Sequence, residues 1–578
     1  MKYYIYLEDY AICMSENTSL KGAIKKLFNL INLEKSEIKN VYIYAVLNGA
    51  IILSLPLGIQ AIINLMFGVN LSTSLVVMIA LVIFGVLLNG IFQIKQMRVI
   101  EKLQQRIFTR LTFAYAYRIP KINLISIDKY YLPELVNRFF DTATLQKGLS
   151  KLLLDLPTAT IQVLFGIVLL GFYHPIFVVF GITLLLVGIV IFYSSSSKGF
   201  TSSIEESDYK YKVAFWLEEL ARSIKTFKYH QQTDLHLKRT DDLVGGYLNS
   251  RNNHFSVLLL QYRVIIGFKV IVTAAMLVVG AFLFINQVIN LGQFIATEII
   301  IITIINAMEK LIISLEVVYD VLTALEKIDK VLEKPLDNDS DELITLENWL
   351  PVDGLKVTAT NLNFGFEDEN LILKDINLSI NAGEKVCIYG AQDSGKSTLI
   401  KLLTGLWQNY NGGLMINNIP VRNISPSVLH HEISFYLTDD ELFTGTLIEN
   451  ITLGEKDIDF NELQKVIELV GLSDFVSRKR KGFETVLDSQ GKKLSYNIVQ
   501  KILLARCLYK KPSLLLLEDG WMYIDEESKN KIIAYLTSKS TNFTMIAVSN
   551  DPAFMAKCDK TFIMDGGKIN GYDHVSTG

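Results

Sequence analysis

The sequence has few cysteines, no basic excess, no leader-like start and two long stretches without a charged residue. Its four cysteines (Cys13, Cys387, Cys507 and Cys558) are scattered and never in C-x-x-C spacing. That excludes a disulfide frame or a zinc site and indicates free thiols in a reducing compartment. The seven histidines show no ligand spacing, and adjacent His430 and His431 read as loop surface. A net charge of −3 offers no basic face, so no nucleic-acid partner is expected. The N-terminus, MKYYIYLEDYAICMSENTSLKG, has two early acids and no long apolar core, so no cleavable signal peptide is expected.

At 578 residues the chain has room for two or three domains. Half of its residues are hydrophobic, and they are dense before about residue 330 and ordinary after it, which suggests a membrane half followed by a soluble half. No Asp, Glu, Lys or Arg occurs between Lys39 and Lys95. That run is too long for one span of ~20 residues, and GVNLSTS (Gly68 to Ser74) breaks it, so it reads as two. The same holds from Leu156 to Ser197, with a His-Pro turn at Pro175. A third pair runs from about Val257 to Val318, interrupted by the polar INQVINLGQ (Ile285 to Gln293). A buried soluble core would not need the two long charge-free runs; six transmembrane helices are the expectation.

The three hairpin turns carry no Lys or Arg, whereas the stretches 98–151 and 198–255 are rich in both. Positive charge stays inside, so both termini are placed in the cytoplasm. The long loops have few Gly or Pro and should extend the spans as helical stalks. Their tips fall near Tyr115 to Pro120 and Phe215 to Leu220. Upstream, SLKGAIKKLFNLI suggests a helix lying on the inner leaflet, with Lys25 and Lys26 on its basic face. Lys269, Glu298 and Glu309 fall inside spans, where charges mark a cavity or a partner; Lys269 and Glu309 lie at similar depth, so self-neutralisation and a substrate-facing role are both open.

From about Pro351 the composition is that of an α/β domain. EKVCIYG (Glu384 to Gly390) reads as a strand, GAQDSGKST (Gly390 to Thr398) matches G-x-x-x-x-G-K-[ST], and TLIKLLTGL has helical periodicity. Strand, loop and helix together make this a phosphate-binding loop. Backbone N–H groups of Gly390, Ala391, Gln392, Asp393, Ser394, Gly395 and their neighbours would surround the phosphates of ATP. Lys396 would reach the β and γ phosphates, and the Ser397 hydroxyl would ligate Mg²⁺ beside Thr398. Further on, PSLLLLEDG (Pro512 to Gly520) reads as a buried strand ending in two acids that serve metal and water.

Six spans with long cytoplasmic extensions and one P-loop cassette resemble an ABC exporter half-transporter, closest to the type I secretion and peptide or bacteriocin exporter branch. The resemblance covers the chain from residue 20 onward, through LKDINLSINAGEKVCIYGAQDSGKSTLIKLLTGL and LFTGTLIENI (Leu442 to Ile451). It implies an all-α transmembrane domain followed by an α/β cassette, in the cytoplasmic membrane of a bacterium. The boundaries expected are an N-terminal segment at 1–39, a membrane domain at 40–335, a linker at 336–350 and a cassette at 351–578. The peptidase domain that many such exporters carry before the first span is not expected here.

The resemblance also assigns roles. It implies that the loop tips near Tyr115 to Pro120 and Phe215 to Leu220 dock on the cassettes, the second on the partner's by the exporter domain swap. The adenine-stacking aromatic falls on Phe366. Asp393 stands where a third loop glycine is common. The glutamine that joins the γ-phosphate site to the membrane domain maps to Thr438, which is too short to reach metal and water together. The Walker B acids map to Glu518 and Asp519, inverted from Asp-Glu; Glu518 can still orient the metal, whereas Asp519 is too short to be a good base. The switch histidine maps to Asn550, which cannot take up positive charge. The signature maps to LSYNI, where Leu494, Ser495 and Ile498 flank Tyr496 and Asn497 in place of two glycines. A chain that holds ATP and hydrolyses it poorly follows. A heterodimer with a complete half is the leading assembly; a non-transporting pseudo-ATPase scaffold and a homodimeric exporter are the alternatives.

Overall fold

The computed structural model describes residues 19–66, 73–127, 130–230, 233–337, 343–345, 353–366, 370–518 and 523–573. The chain divides into two compact units: Met1–Lys121 with Lys129–Lys334, and Ile122–Asp128 with Pro335–Gly578.

The first unit is helical: α1 (Leu20–Asn32), α2 (Lys35–Met66), α3 (Thr73–Arg118), α4 (Leu132–Val136), α5 (Asp141–Tyr173), α6 (Pro175–Arg222), α7 (Ile224–Tyr229), α8 (Leu235–Ile285) and α9 (Leu291–Leu332). Local chemistry sets the turns. His174 is extended and caps α6, its Nδ1 accepting from the Ile176 N–H, with Pro175 preset at the first helical position. Asn290 and Gln293 form a reciprocal capping box that starts α9. Gly148 and Gly166 let α5 lie close against α9, since an added Cβ would sit 2.3 Å from Val321 and 2.6 Å from Ile304.

Among the described residues, five helices are long and apolar enough to cross a membrane: Lys35–Met66, Thr73–Lys121, Leu132–Tyr173, Pro175–Arg222 and Leu235–Ile285. The sixth expected span falls on α9, which is 42 residues long but carries Glu298, Glu309 and Lys310 within its apolar run. Most of the expected turn at Gly68 to Ser74 lies outside the described residues.

The structure bears on two expectations for this unit. Lys269 and Glu309 are paired, Nζ to Oε2, at 3.0 Å. Helix α1 does form, but Lys26 does not lie on a lipid-facing surface. It is buried and ringed by Glu326 at 3.4 Å, Asp329 at 3.3 Å and Glu333 at 2.7 Å, because α1 packs along α9, whose last turns carry Glu326 and Asp329 and whose C-cap is Glu333. Burial opposes the Lys26 charge, yet these acids leave its pKa pushed up to about 12. Asp329 is fully enclosed, and burial pushes it up to about 7 despite Lys26.

The stalk tips are also shifted from their expected places. Tyr115 is buried inside the first unit, with its ring edge-on to Phe139. The segment grouped with the second unit starts later, at Ile122, which bridges to Leu336. Trp216 is buried too: its Nε1 donates to Thr240 Oγ1 at 3.1 Å and its face takes the Arg239 guanidinium at 4.4 Å. Its ring closes the hairpin from inside, so the exposed tip is α7 and its flanks.

The second unit is α/β. An antiparallel sheet runs β2-β1-β4-β5, built of β1 (Val357–Phe364), β2 (Leu373–Ile380), β4 (Asn411–Ile416) and β5 (Ile419–Pro420). A six-stranded sheet runs β12-β11-β3-β10-β9-β6, built of β3 (Lys385–Gly390), β6 (Ile433–Tyr436), β9 (Leu514–Glu518), β10 (Thr544–Val548), β11 (Lys560–Asp565) and β12 (Lys568–Asp573). A small pair, β7 (Gly445–Thr446) and β8 (Val486–Leu487), completes it. Strands β9 and β10 are buried at every residue, which explains their unbroken apolar runs.

Candidate functional site: a phosphate loop at the strand ends

Strands β3, β10, β9 and β6 are adjacent and parallel, with Val548 in register with both Ile388 and Glu518. Their carboxyl ends therefore bring Gly390, Asn550, Glu518 and Thr438 together, at the edge where open α/β sheets hold ligands. Helix α10 (Lys396–Leu403) starts there, with Gly395 as its N-cap at φ 96°. At Gly390, φ is 151° and an added Cβ would sit 2.0 Å from the Met564 carbonyl oxygen, so only glycine fits. Asp393 adopts φ 61°, a left-handed conformation that aspartate tolerates better than most residues. Its side chain is exposed. The third loop glycine is thus replaced without breaking the loop.

Lys396 Nζ donates to the Gly390 carbonyl at 3.1 Å, to Ser394 Oγ at 3.2 Å and to the Ala391 carbonyl. Burial holds its pKa below the usual lysine value, while Asp393 and Glu518 pull the other way. Gln392 and Ser397 are exposed, and Thr398 is half-buried in the first turn of α10. The first four N–H groups of such a helix lack intrahelical partners, and its dipole favours an anion there.

Thr438 and Glu518 meet directly. The Thr438 backbone N–H (3.1 Å) and hydroxyl (2.9 Å) both donate to Glu518 Oε2. Asp519 lies outside the described residues. Asn550 Oδ1 accepts from the Gly390 N–H at 3.1 Å, tying the segment after β10 to the start of the loop. The residues after Thr438 are anchored as well: Asp439 to Lys401 at 2.7 Å, Asp440 to Arg506 at 3.3 Å and Glu441 to Gln490 at 3.0 Å.

Phe366 is half-exposed beside Trp407, ring centroids 5.1 Å apart, and Trp407 stacks on Phe364 at 5.3 Å. Trp407 was not singled out from the sequence; its place just after the helix of the loop was the available signal. Ser495 caps the helix Tyr496–Tyr509 with no side-chain cap bond. Tyr496 sits edge-on to Tyr523 at 4.6 Å, both half-exposed. Asn497 reaches Asp525 at 3.4 Å, while Leu494 and Ile498 pack on the core beside it. The structure does not join this signature segment to the phosphate loop within described contacts.

A membrane-helical unit and a P-loop cassette on one chain define the architecture of an ABC transporter. Family models match accordingly: an ABC transporter transmembrane region over residues 40–308 and an ABC transporter domain over 373–520. The chain belongs to the ABC transporters and has the fold of their exporters. It is 26% identical over 291 residues to the microcin-J25 export ATP-binding/permease protein McjD of Escherichia coli, covering 50% of this chain and 49% of McjD. It is 29% identical over 247 residues to the alpha-hemolysin translocation ATP-binding protein HlyB of Escherichia coli, covering 43% of this chain and 34% of HlyB. The matches thus span about half or less of those relatives' length. A bacterial Atm1-family ABC exporter solved with ATP bound superposes with a TM-score of 0.82 at 18% identity, covering 93% of this chain and 96% of that one.

Proposed function

We propose that this chain is one half of an exporter that moves a substrate, a peptide or protein, out of the cytoplasm, and that its cassette holds Mg-ATP but turns it over slowly. The export and translocation named for McjD and HlyB support the transport reading. The observation that carries the slow-turnover reading is the bonding of Thr438 to Glu518. The residue at the glutamine position is committed to the strand acid, and Asn550 to the loop. The loop itself keeps the geometry needed for phosphate: two glycines at positive φ, an inward lysine and a helix start.

Ser397 and Glu518 are oxygen donors of the type Mg²⁺ prefers, and Thr438 engages Oε2, not Oε1. Magnesium held by these two residues would neutralise charge on the β and γ phosphates. Because the chain alters catalytic positions and its signature alike, a homodimer would carry two weakened sites. Pairing with a catalytically complete half is the favoured assembly; in it this chain supplies weak catalytic residues to one site and its altered signature to the other. The alternative, a non-transporting scaffold, would bind nucleotide without any partner stimulating turnover.

The test is nucleotide binding and hydrolysis by the purified full chain. Lys396→Ala should abolish Mg-ATP binding, since the loop loses its charged contact. The reading is falsified if the wild-type chain alone hydrolyses ATP at ordinary enzyme rates of ~1 s⁻¹ or more and Asp519→Ala removes that activity.

A further inference from the structure

Helices α8 and α9 run antiparallel through the first unit in a fixed register. Lys269 of α8 pairs with Glu309 of α9. Eleven residues along each helix, a Cβ added at Gly280 would lie 3.8 Å from Glu298 Oε1. Eleven residues are close to three helical turns, so both contacts lie on one seam, ~16 Å apart along it. At one station a glutamate faces a lysine; at the other it faces a glycine.

The hairpin from Val264 to Glu309 carries one cation, Lys269, against two acids, Glu298 and Glu309. Glu298 lacks what Glu309 has: its Oε1 is buried and has no hydrogen-bond partner among the described residues. A buried carboxylate oxygen without a partner, within an apolar run, is costly to keep and marks a ligand or ion path. Its surroundings say which ligand. The edge of the Phe294 ring lies 2.6 Å from a Cβ at Gly280, and Phe284 lies 6.2 Å from Phe294, centroid to centroid. A carboxylate with aromatic rings close by recognises an ammonium or guanidinium group chiefly by charge, and a cation seated on it lies within reach of the rings.

We propose that Glu298, with Phe294 and Phe284, binds the cationic group of the transported substrate, as Lys269 occupies Glu309 one station along the seam. The site lies about seven residues into α9, ~10 Å from its start. An apolar cavity of about 400 Å³ near the lower station, lined by Leu164, Phe192, Tyr193 and Leu311 among others, takes Met308 and Ile312 into its wall. Those two residues also wall the Lys269 niche. The substrate class that fits at Glu298 carries an ammonium or guanidinium group. The proposal rests on the exporter reading and names the substrate chemistry for it.

The test uses the full chain in lipid nanodiscs without nucleotide. One probe is tetraphenylphosphonium, a small organic cation; the other is a labelled amphipathic peptide of leucine and lysine. The counter-probe is the same peptide with glutamate in place of lysine. Glu298→Gln should weaken binding of the cationic probes roughly tenfold, and Glu298→Asp should restore most of it. Binding of tetraphenylphosphonium alone assigns small organic cations; binding of the lysine peptide assigns basic peptides. Unchanged affinity in Glu298→Gln, or equal affinity for the glutamate peptide, overturns the site. Phe294→Leu keeps the carboxylate and removes the ring, so it decides the matter if Glu298→Gln does not fold: lost affinity supports the site and unchanged affinity rejects it. ATP binding measured on the same samples keeps the two readings apart, since a failed cation site leaves the cassette untouched.

Discussion

Glu518 is one methylene longer than the aspartate expected at its position, and Thr438 is shorter than the expected glutamine. In the structure these two departures fit each other, because the longer acid reaches the N–H and hydroxyl of the shorter residue. Restoring one position at a time should therefore fail. Asp519→Glu alone should recover little hydrolysis, since catalytic groups acting as a unit are not additive. Thr438→Gln alone should leave Glu518 without its hydroxyl donor. The set Thr438→Gln, Glu518→Asp, Asp519→Glu and Asn550→His, beside a partner with a complete signature, should raise ATP turnover clearly above the wild-type pair. Equal turnover in a coupled-enzyme assay would count against the slow-site reading. The phosphate loop was legible in the sequence because its chemistry is local: one strand, one loop and one helix within Lys385 to Leu403. The Thr438–Glu518 bond was not, because it joins residues eighty positions apart and depends on which strands lie side by side.

At the scale of elements, the same distinction separates α1 from the long helices. Charge-free runs and the His-Pro turn announced α5 and α6, because helix length and cap chemistry are written along the chain. The direction of Lys26 was not, since a basic residue on an amphipathic helix suits a lipid headgroup and a buried acid equally well. Lys26 pairs with Glu326 and Asp329 of α9 and with its C-cap Glu333, so Lys26→Ala should cost about 3 kcal/mol of α1 docking, as expected when a buried ion pair loses one partner. The pH dependence has a definite sign. Asp329, raised by burial to about 7, holds its proton in the docked state at pH values where the undocked carboxyl has lost it. Docking is therefore favoured as pH falls through about 7 and disfavoured as Asp329 ionises above it. In Lys26→Ala the charge penalty is larger. Hydrogen exchange over Leu20–Asn32 should be fast at about pH 8 and partly protected again at about pH 6. Equal protection in variant and wild type at both pH values would show that the cluster does not hold α1.

For the whole molecule, two placements remain to be tested in a membrane. Asn290 lies in the turn between α8 and α9, which carries no Lys or Arg, so Asn290→Cys should react with an impermeant thiol reagent on intact cells. Protection would reverse the orientation. The stalk tip gives the second placement. With Trp216 used inside the hairpin, the exposed apolar surface there is Ile224, Tyr229 and Leu235, with Tyr229 81% exposed. Apolar side chains clustered at the cytoplasmic end of a stalk are expected to be covered in the assembled transporter. The six-span plan with extended stalks, read from the sequence as an exporter's, implies that the cover is the cassette of the paired chain. Tyr229→Cys should then form a cross-link to the other chain of the purified pair, whereas Trp216→Cys should give none, because its side chain is enclosed. Capture by Tyr229→Cys of its own cassette alone would leave the two halves unexchanged and remove the route by which one chain's nucleotide site acts on the other's membrane helices.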